Sequence, residues 1–142
     1  DGADTARAYG QIWAEVRDCT EDAVLVYTSD APAAVRRMQE TYGRGEVSAR
    51  LEGLMADLAV RAAAEGWRKI VVASGETSGA VAEALHAKAY RVGAEIAPGV
   101  PVLAPLDRED MRLVLKSGNF GAADFFARAA AYMTGEETVR HD

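Results

Sequence analysis

The sequence has a single cysteine, Cys19, so no internal disulfide braces it. Its two histidines, His86 and His141, lie far apart and make no metal-binding constellation with that cysteine, and the composition fits a reducing cytoplasm. No apolar run approaches the roughly 20 residues that cross a bilayer, and no charged-then-apolar leader opens the chain. A basic excess is missing too. Lys and Arg number 16 against 22 Asp and Glu, a formal net charge of −6, which is the wrong sign for a protein that grips nucleic-acid phosphates. One small anionic ligand held by local amides stays compatible with that charge. The standard phosphate loops are absent as well: there is no G-x-x-x-x-G-K-[ST] and no G-x-G-x-x-G. Gly75 to Gly79 misses G-x-S-x-G by one position, which argues against an esterase.

What is present is an ordinary folding composition. The 142 residues are 49% hydrophobic and 27% charged, enough for one domain with a real core. Tyr9, Ile12, Trp13 and Val16 recur at helical spacing and predict a helix from Asp4 to Asp18. "AVLVYT", residues 23–28, reads as a buried strand. "SDAP" then offers Ser29 or Asp30 as a helix cap with Pro32 in the first turn, and Gly43 to Gly45 ends that helix. A clearer helix runs over 46–66, with Val47, Leu51, Leu54, Met55, Leu58 and Ala62 at helical spacing and Gly66 as its stop.

The second half alternates in the same way. "RKIVVA" reads as a strand, "SGETSG" as a corner, and the helix beyond it turns Ala80, Val81, Ala84 and Leu85 to one side. "AYRVGAEI" reads as a third strand. "PGVPVLAPLDRED" holds three of the four prolines and is expected to be an extended loop with at most a short strand. "MRLVLK" is the last strand, "SGNFGA" a turn, and "DFFARAAAYM" a closing helix with Phe125, Phe126, Ala129, Ala130 and Met133 inward. Apolar strands alternating with helices predict a single α/β domain, a mostly parallel sheet with helices on both faces.

In such sheets ligands gather at the carboxyl ends of the strands. "TSD", "SGETSG" and "KSGNFG" stand at three such ends. A helix N-terminus offers unpaired amides and about half a positive charge, and a bare corner lets an anion approach them. Gly75 and Gly79 keep the backbone accessible while Thr77 and Ser78 add hydroxyls; Gly118, Asn119 and Gly121 repeat the pattern after Lys116. The plainer reading is that Ser and Thr cap a helix and the glycines permit tight packing. Glu76 reads as a magnesium neighbour or as a carboxylate favoured by the helix dipole, and Lys116 as a phosphate partner or a lysine leaving a strand into solvent. Trp13 and Trp67 read as packing residues, and Asp107, Glu109 and Asp110 as a solvated turn.

"VVASGETSGAVAEALHAKAYRVGAEIAPGVPV" with "LVLKSGNFGAADFFARAA" closely resembles the C-terminal nucleotide-binding domain of the four-carbon acid sugar kinases. The resemblance covers nearly the whole chain, with weaker likeness in "VLVYTSDAP" and over 46–66. It implies a two-domain kinase that phosphorylates the terminal hydroxyl of a sugar acid such as threonate, erythronate or a 3-oxo-tetronate with ATP and Mg2+. The N-terminal domain would hold the acid and supply the catalytic base. The family's Gly-Glu-Thr-Ser run falls on Gly75, Glu76, Thr77 and Ser78, its Lys-Ser-Gly-Asn-Phe-Gly motif places Gly118 and Asn119, and its serine after the first strand falls on Ser29, with Thr28 close by. Ser74 stands where the family has a glycine, a replacement expected to pass if its backbone angle stays negative.

On this reading residues 1–142 are the nucleotide half of a cytoplasmic kinase, inactive alone, with catalytic residues and metal ligands unassigned and a homodimer left open. The first residue is Asp1 rather than Met, which suggests a processed chain or a piece cut from a longer one. The rival expectation is a non-catalytic module that senses a phosphorylated metabolite or forms a subunit contact.

Overall fold

The computed structural model describes residues 2–118 and 122–134. The first helix, α1 (Gly2–Asp18), buries Trp13 and Val16 against the next long helix, as its apolar spacing requires. A stretch without regular structure follows, and α2 (Pro32–Tyr42) begins with Pro32 in its first turn. Gly43, with φ of +82°, turns the chain directly into α3 (Arg44–Ala64), and Gly66 at φ +103° marks the exit. Alternating elements complete the order: β1 (Lys69–Ala73), α4 (Gly75–Ala84), β2 (Tyr90–Ala97), β3 (Val100–Pro105), β4 (Arg112–Lys116) and α5 (Phe125–Thr134).

The strands form one sheet in the order β1-β4-β3-β2. Helices cover both faces. On one, Ala56 and Ala59 of α3, Val81 of α4 and Leu85 at its C-cap pack on Val72, Met111 and Leu113; on the other, Phe125 and Ala129 of α5 pack on Ile96, Val100, Val102 and Val114. A third cluster joins Trp13 and Val16 to Leu58 on the far side of α3, with Leu54, Met55 and Trp67 around them. So α3 presents small alanines to the sheet, which let it sit close, and larger side chains to α1. Phe126, expected inward, is exposed; its ring meets that of Phe125 edge-on, 5.9 Å between centroids.

The sheet is mixed rather than mostly parallel. Among the described residues only β1 and β4 pair in parallel; β4 with β3 and β3 with β2 are antiparallel. The difference lies in "PGVPVLAP", which is not a loop but the second half of a hairpin. Pro98-Gly99 makes the turn, with Gly99 at φ +75°, and six residues of strand follow. Proline lacks a ladder donor and normally argues against an inner strand. Here the side on which each amide falls removes the conflict. Leu106 N–H donates to Ala89 O on the β2 side, so alternation turns Pro105 and Pro101 toward β4. The β3–β4 register is confined to Val102↔Val114 and Leu103↔Leu113, and neither proline is asked to donate.

The second correction concerns residues 23–28. They form no strand among the described residues, and Leu25 and Tyr27 are 64% and 70% exposed. Only Val26 reaches the core, at the α1–α3 cluster. Nor do Ser29 and Asp30 cap α2: its N-cap is Ala31, without a side-chain hydrogen bond, and Asp30 Oδ1 merely accepts from Ala31 N–H at 2.6 Å.

Candidate functional site

β1 and β4 run in parallel, so their carboxyl ends, Ala73 and Lys116, lie side by side and the chain leaves both at the same edge. The two glycine-serine corners are therefore neighbours. Ser74 N–H donates to Lys116 O at 2.9 Å, tying one corner to the other, and a Cβ on Gly75 would stand 3.9 Å from Ser117 Oγ. At Gly79 and Gly118 an added Cβ would meet nothing within 4 Å. These two glycines are thus not demanded by the protein's own packing.

Helix α4 opens onto this edge. Its first backbone bond is Ser78 N–H to Ser74 O, 2.9 Å, which leaves the amides of Gly75, Glu76 and Thr77 without a helical acceptor. Gly75 and Glu76 are exposed and Thr77 is half-buried. Ser78 is different: it is buried, and its Oγ lies 3.5 Å from Val72 O, turned into the fold. The corner as it stands offers three amides, the hydroxyls of Thr77 and Ser117, and the carboxylate of Glu76.

Lys116 neither reaches into the opening nor leaves into solvent. It is 8% exposed, with Nζ donating to Ser117 O at 3.2 Å and Gly118 O at 3.0 Å, and lying 5.6 Å from the centroid of the Phe125 ring. A buried ammonium needs such partners. Because the Ser117–Gly118 peptide is trans, drawing its carbonyl toward the ammonium turns the Gly118 N–H the other way, away from Lys116. The lysine shapes the loop from beneath. Composition alone gives no sign of this; the sign is that Phe125, the first inward residue of α5, sits beside a strand end.

Ser74 corrects an expectation. Its φ is +139°, in the half of backbone space that favours glycine, rather than negative. The residue must hold this angle because its amide is fixed on Lys116 O while its carbonyl already accepts the first α4 bond. Ser29 and Thr28 lie exposed on the irregular stretch before α2, outside any strand end. Asn119 and Gly121 lie outside the described residues. His86, with φ of +53°, follows α4 as its left-handed turn residue, and Arg108 Nη2 donates to Leu85 O at the same helix end. Asp110 and Glu109 pair with Arg68 and Arg91 at the surface, and among the described residues no three His, Cys, Asp or Glu gather as metal ligands. Trp13 and Trp67 share the α1–α3 cluster, away from this edge, and a shallow groove between those helices, lined by Thr5, Tyr9, Arg50 and Asp57, is equally remote.

A βα corner of bare amides beside a second glycine turn is an arrangement that can accept an anion. Residues 1–126 match the family described as nucleotide-binding C-terminal domain, and the chain belongs to that family. It is 43% identical over 125 residues to a 3-oxo-tetronate kinase of Burkholderia multivorans, covering 88% of this chain and 29% of that one. A 3-oxo-tetronate kinase of Methylobacterium radiotolerans is 50% identical over 111 residues, 78% of this chain and 26% of the other. Among solved structures, a Haemophilus influenzae protein superposes with a TM-score of 0.76 at 35% identity, covering 91% of this chain and 31% of that one. The chain spans between a quarter and a third of these relatives. Four-carbon acid sugar kinases are thus its relatives over most of its length.

Proposed function

We propose that residues 1–142 are the nucleotide-binding part of a two-domain kinase that transfers the γ-phosphoryl group of ATP to the terminal hydroxyl of a four-carbon sugar acid. The observation that carries this reading is the tie between the two corners, Ser74 N–H to Lys116 O, which sets the free α4 amides beside the Ser117-Gly118 turn. The phosphates would lie on the amides of Gly75, Glu76 and Thr77, with the hydroxyls of Thr77 and Ser117 as further donors. Gly118 would border the other side, and the family resemblance adds Asn119 as a further ligand. Magnesium in such sites needs only one or two carboxylates besides phosphate oxygens, and Glu76, in the first turn of α4, would be the carboxylate to serve. Bound there, the ion would neutralise phosphate charge.

Phosphoryl transfer asks mainly for positioning and charge stabilisation, and these residues would supply both by holding the phosphates fixed. The sugar acid and the group that accepts its proton belong, on this proposal, to the other domain of the parent protein. Ser29 would join the site only if its segment moved to the same edge. The rival reading, a non-catalytic module for a phosphorylated metabolite, uses the same corner and is separated by the nucleotide.

Calorimetric titration of the chain with Mg-ATP, and of the Gly75→Val and Gly118→Val variants, tests the proposal. Saturable binding selective for adenine, weakened at least about tenfold in both variants without loss of fold, is expected from blocked approach to the amides. Full affinity in both variants would put the site elsewhere. Binding of a phosphorylated metabolite but of no nucleotide, by the chain and by the full-length parent, would favour the module.

A further inference from the structure

The corner described above accounts for the phosphates of a nucleotide and leaves its base without a surface. Trp13 and Trp67 lie on the far side of α3. The rings that the structure ties to the sheet edge carrying Ser74 and Lys116 are those of Phe125 and Phe126, and the two are used differently. Phe125 is buried in the cluster beneath α5, with Lys116 Nζ 5.6 Å from its centroid. Phe126 is 45% exposed and meets Phe125 edge-on, 5.9 Å between centroids. Such a T-shaped contact takes up at most one face of the Phe126 ring, so a face stays open.

Helix geometry says where that ring stands. Successive residues turn by about 100° around α5, so Phe126 lies on one flank of Phe125 and Arg128, about 60° back, on the other. Arg128 Nη2 donates to Ile96 O, 2.9 Å, near the end of β2. In the strand order β1-β4-β3-β2, the flank opposite Arg128 is the one toward β4 and β1. Val71 of β1 packs against the same cluster, which confirms that α5 reaches over that side of the sheet.

Helical side chains also lean toward the N-terminus of their helix. α5 starts at the edge where Lys116 ends β4, because Phe125, its first residue, lies beside the Lys116 ammonium. The Phe126 ring is therefore carried toward the ends of β1 and β4, the two strands from which the free α4 amides and the Ser117-Gly118 turn project. α4 covers one face of the sheet and α5 the other. A ligand with its phosphates on the α4 amides that extends across the strand ends arrives at this ring.

We propose that Phe126 is the stacking platform for the base of the nucleotide. The assignment rests on the functional reading above, since the phosphates fix the end from which the base is reached. A leucine at this position would cover the rim of Phe125 and suit a helix better; a flat ring adds a surface on which a base can stack. Every base has a π-face, so the platform supplies affinity for the nucleoside end and leaves the choice among bases to other groups.

Paired calorimetric titrations with Mg-ATP and with magnesium tripolyphosphate separate the two ends of the ligand. Phe126→Leu is expected to weaken Mg-ATP binding about fivefold or more and to leave tripolyphosphate binding unchanged, while Phe126→Tyr, which keeps the ring, binds both as wild type does. Undiminished ATP affinity in Phe126→Leu would overturn the platform and leave the phosphate site standing. Equal loss of both ligands would also overturn it, since the substitution would then act on the turn beneath. The wild-type protein gives a test that needs no variant: tripolyphosphate bound as tightly as ATP sinks the platform alone. Binding of neither ligand, by the chain or by the full-length parent, sinks the functional reading with it.

Discussion

Ser74 is the residue whose conformation and chemistry disagree. A side chain at φ +139° costs about 1–3 kcal/mol against an unstrained angle, and it persists because its amide and carbonyl are both committed, to Lys116 O and Ser78 N–H. Ser74→Gly is expected to raise unfolding free energy by about 1 kcal/mol, the strain relieved less the extra flexibility glycine brings to the unfolded chain. Urea unfolding of the two proteins checks this, and an unchanged or lowered midpoint would show that the angle is not strained. The strain also marks what the sequence left hidden at this site. Gly75, Glu76, Thr77, Gly118 and Asn119 stand out in the string because hydroxyls and glycines between a strand and a helix are visible there. The burial of Ser78 and of Lys116 is not visible, because both depend on what lies beneath the corner: Val72 and the carbonyls of Ser117 and Gly118.

At the scale of elements, periodicity carried furthest where an element was long or apolar throughout. α1, α3, β1 and β4 fall where their patterns place them, within a residue or two. β3 escaped because proline was weighed as a strand breaker, whereas its effect depends on which neighbour each amide faces. The run 23–28 erred in the opposite sense: its composition is that of a strand, but the backbone lies outside the sheet. The hairpin that replaced the expected loop also explains Gly93. A Cβ there would stand 3.0 Å from Val102 O, a backbone atom of the neighbouring strand β3, where β2 carries its register shift. Gly93→Val should therefore cost about 1–3 kcal/mol, as overpacking does. Thermal melting reads it, and a Tm unchanged from wild type would mean that the β2 irregularity absorbs the side chain.

On the scale of the molecule, β4 joins the two sides. Leu113 and Val114 are both fully buried, one against α3 and α4 and the other against α5. Neither core can loosen without moving the strand that supports the other. Leu113→Ala is expected to cost about 2–5 kcal/mol and to lower the melting of the whole chain as one transition. Trp13 and Trp67 report from the third cluster on the far side of α3. Their fluorescence should melt together with the far-ultraviolet circular dichroism, and a separation of the two curves would reveal α1 and its surroundings as an independently unfolding unit.

The sealed ammonium of Lys116 has a consequence for reagent chemistry. Acylating agents need a deprotonated, accessible amine, and Lys69 and Lys88 stand in solvent while the Lys116 Nζ is closed off by two carbonyls and a ring. Mass-mapped acetylation of the folded chain will mark the first two and pass over the third. The label count at Lys116 becomes a clock for opening of the turn above it, one that ticks only when the loop lets go.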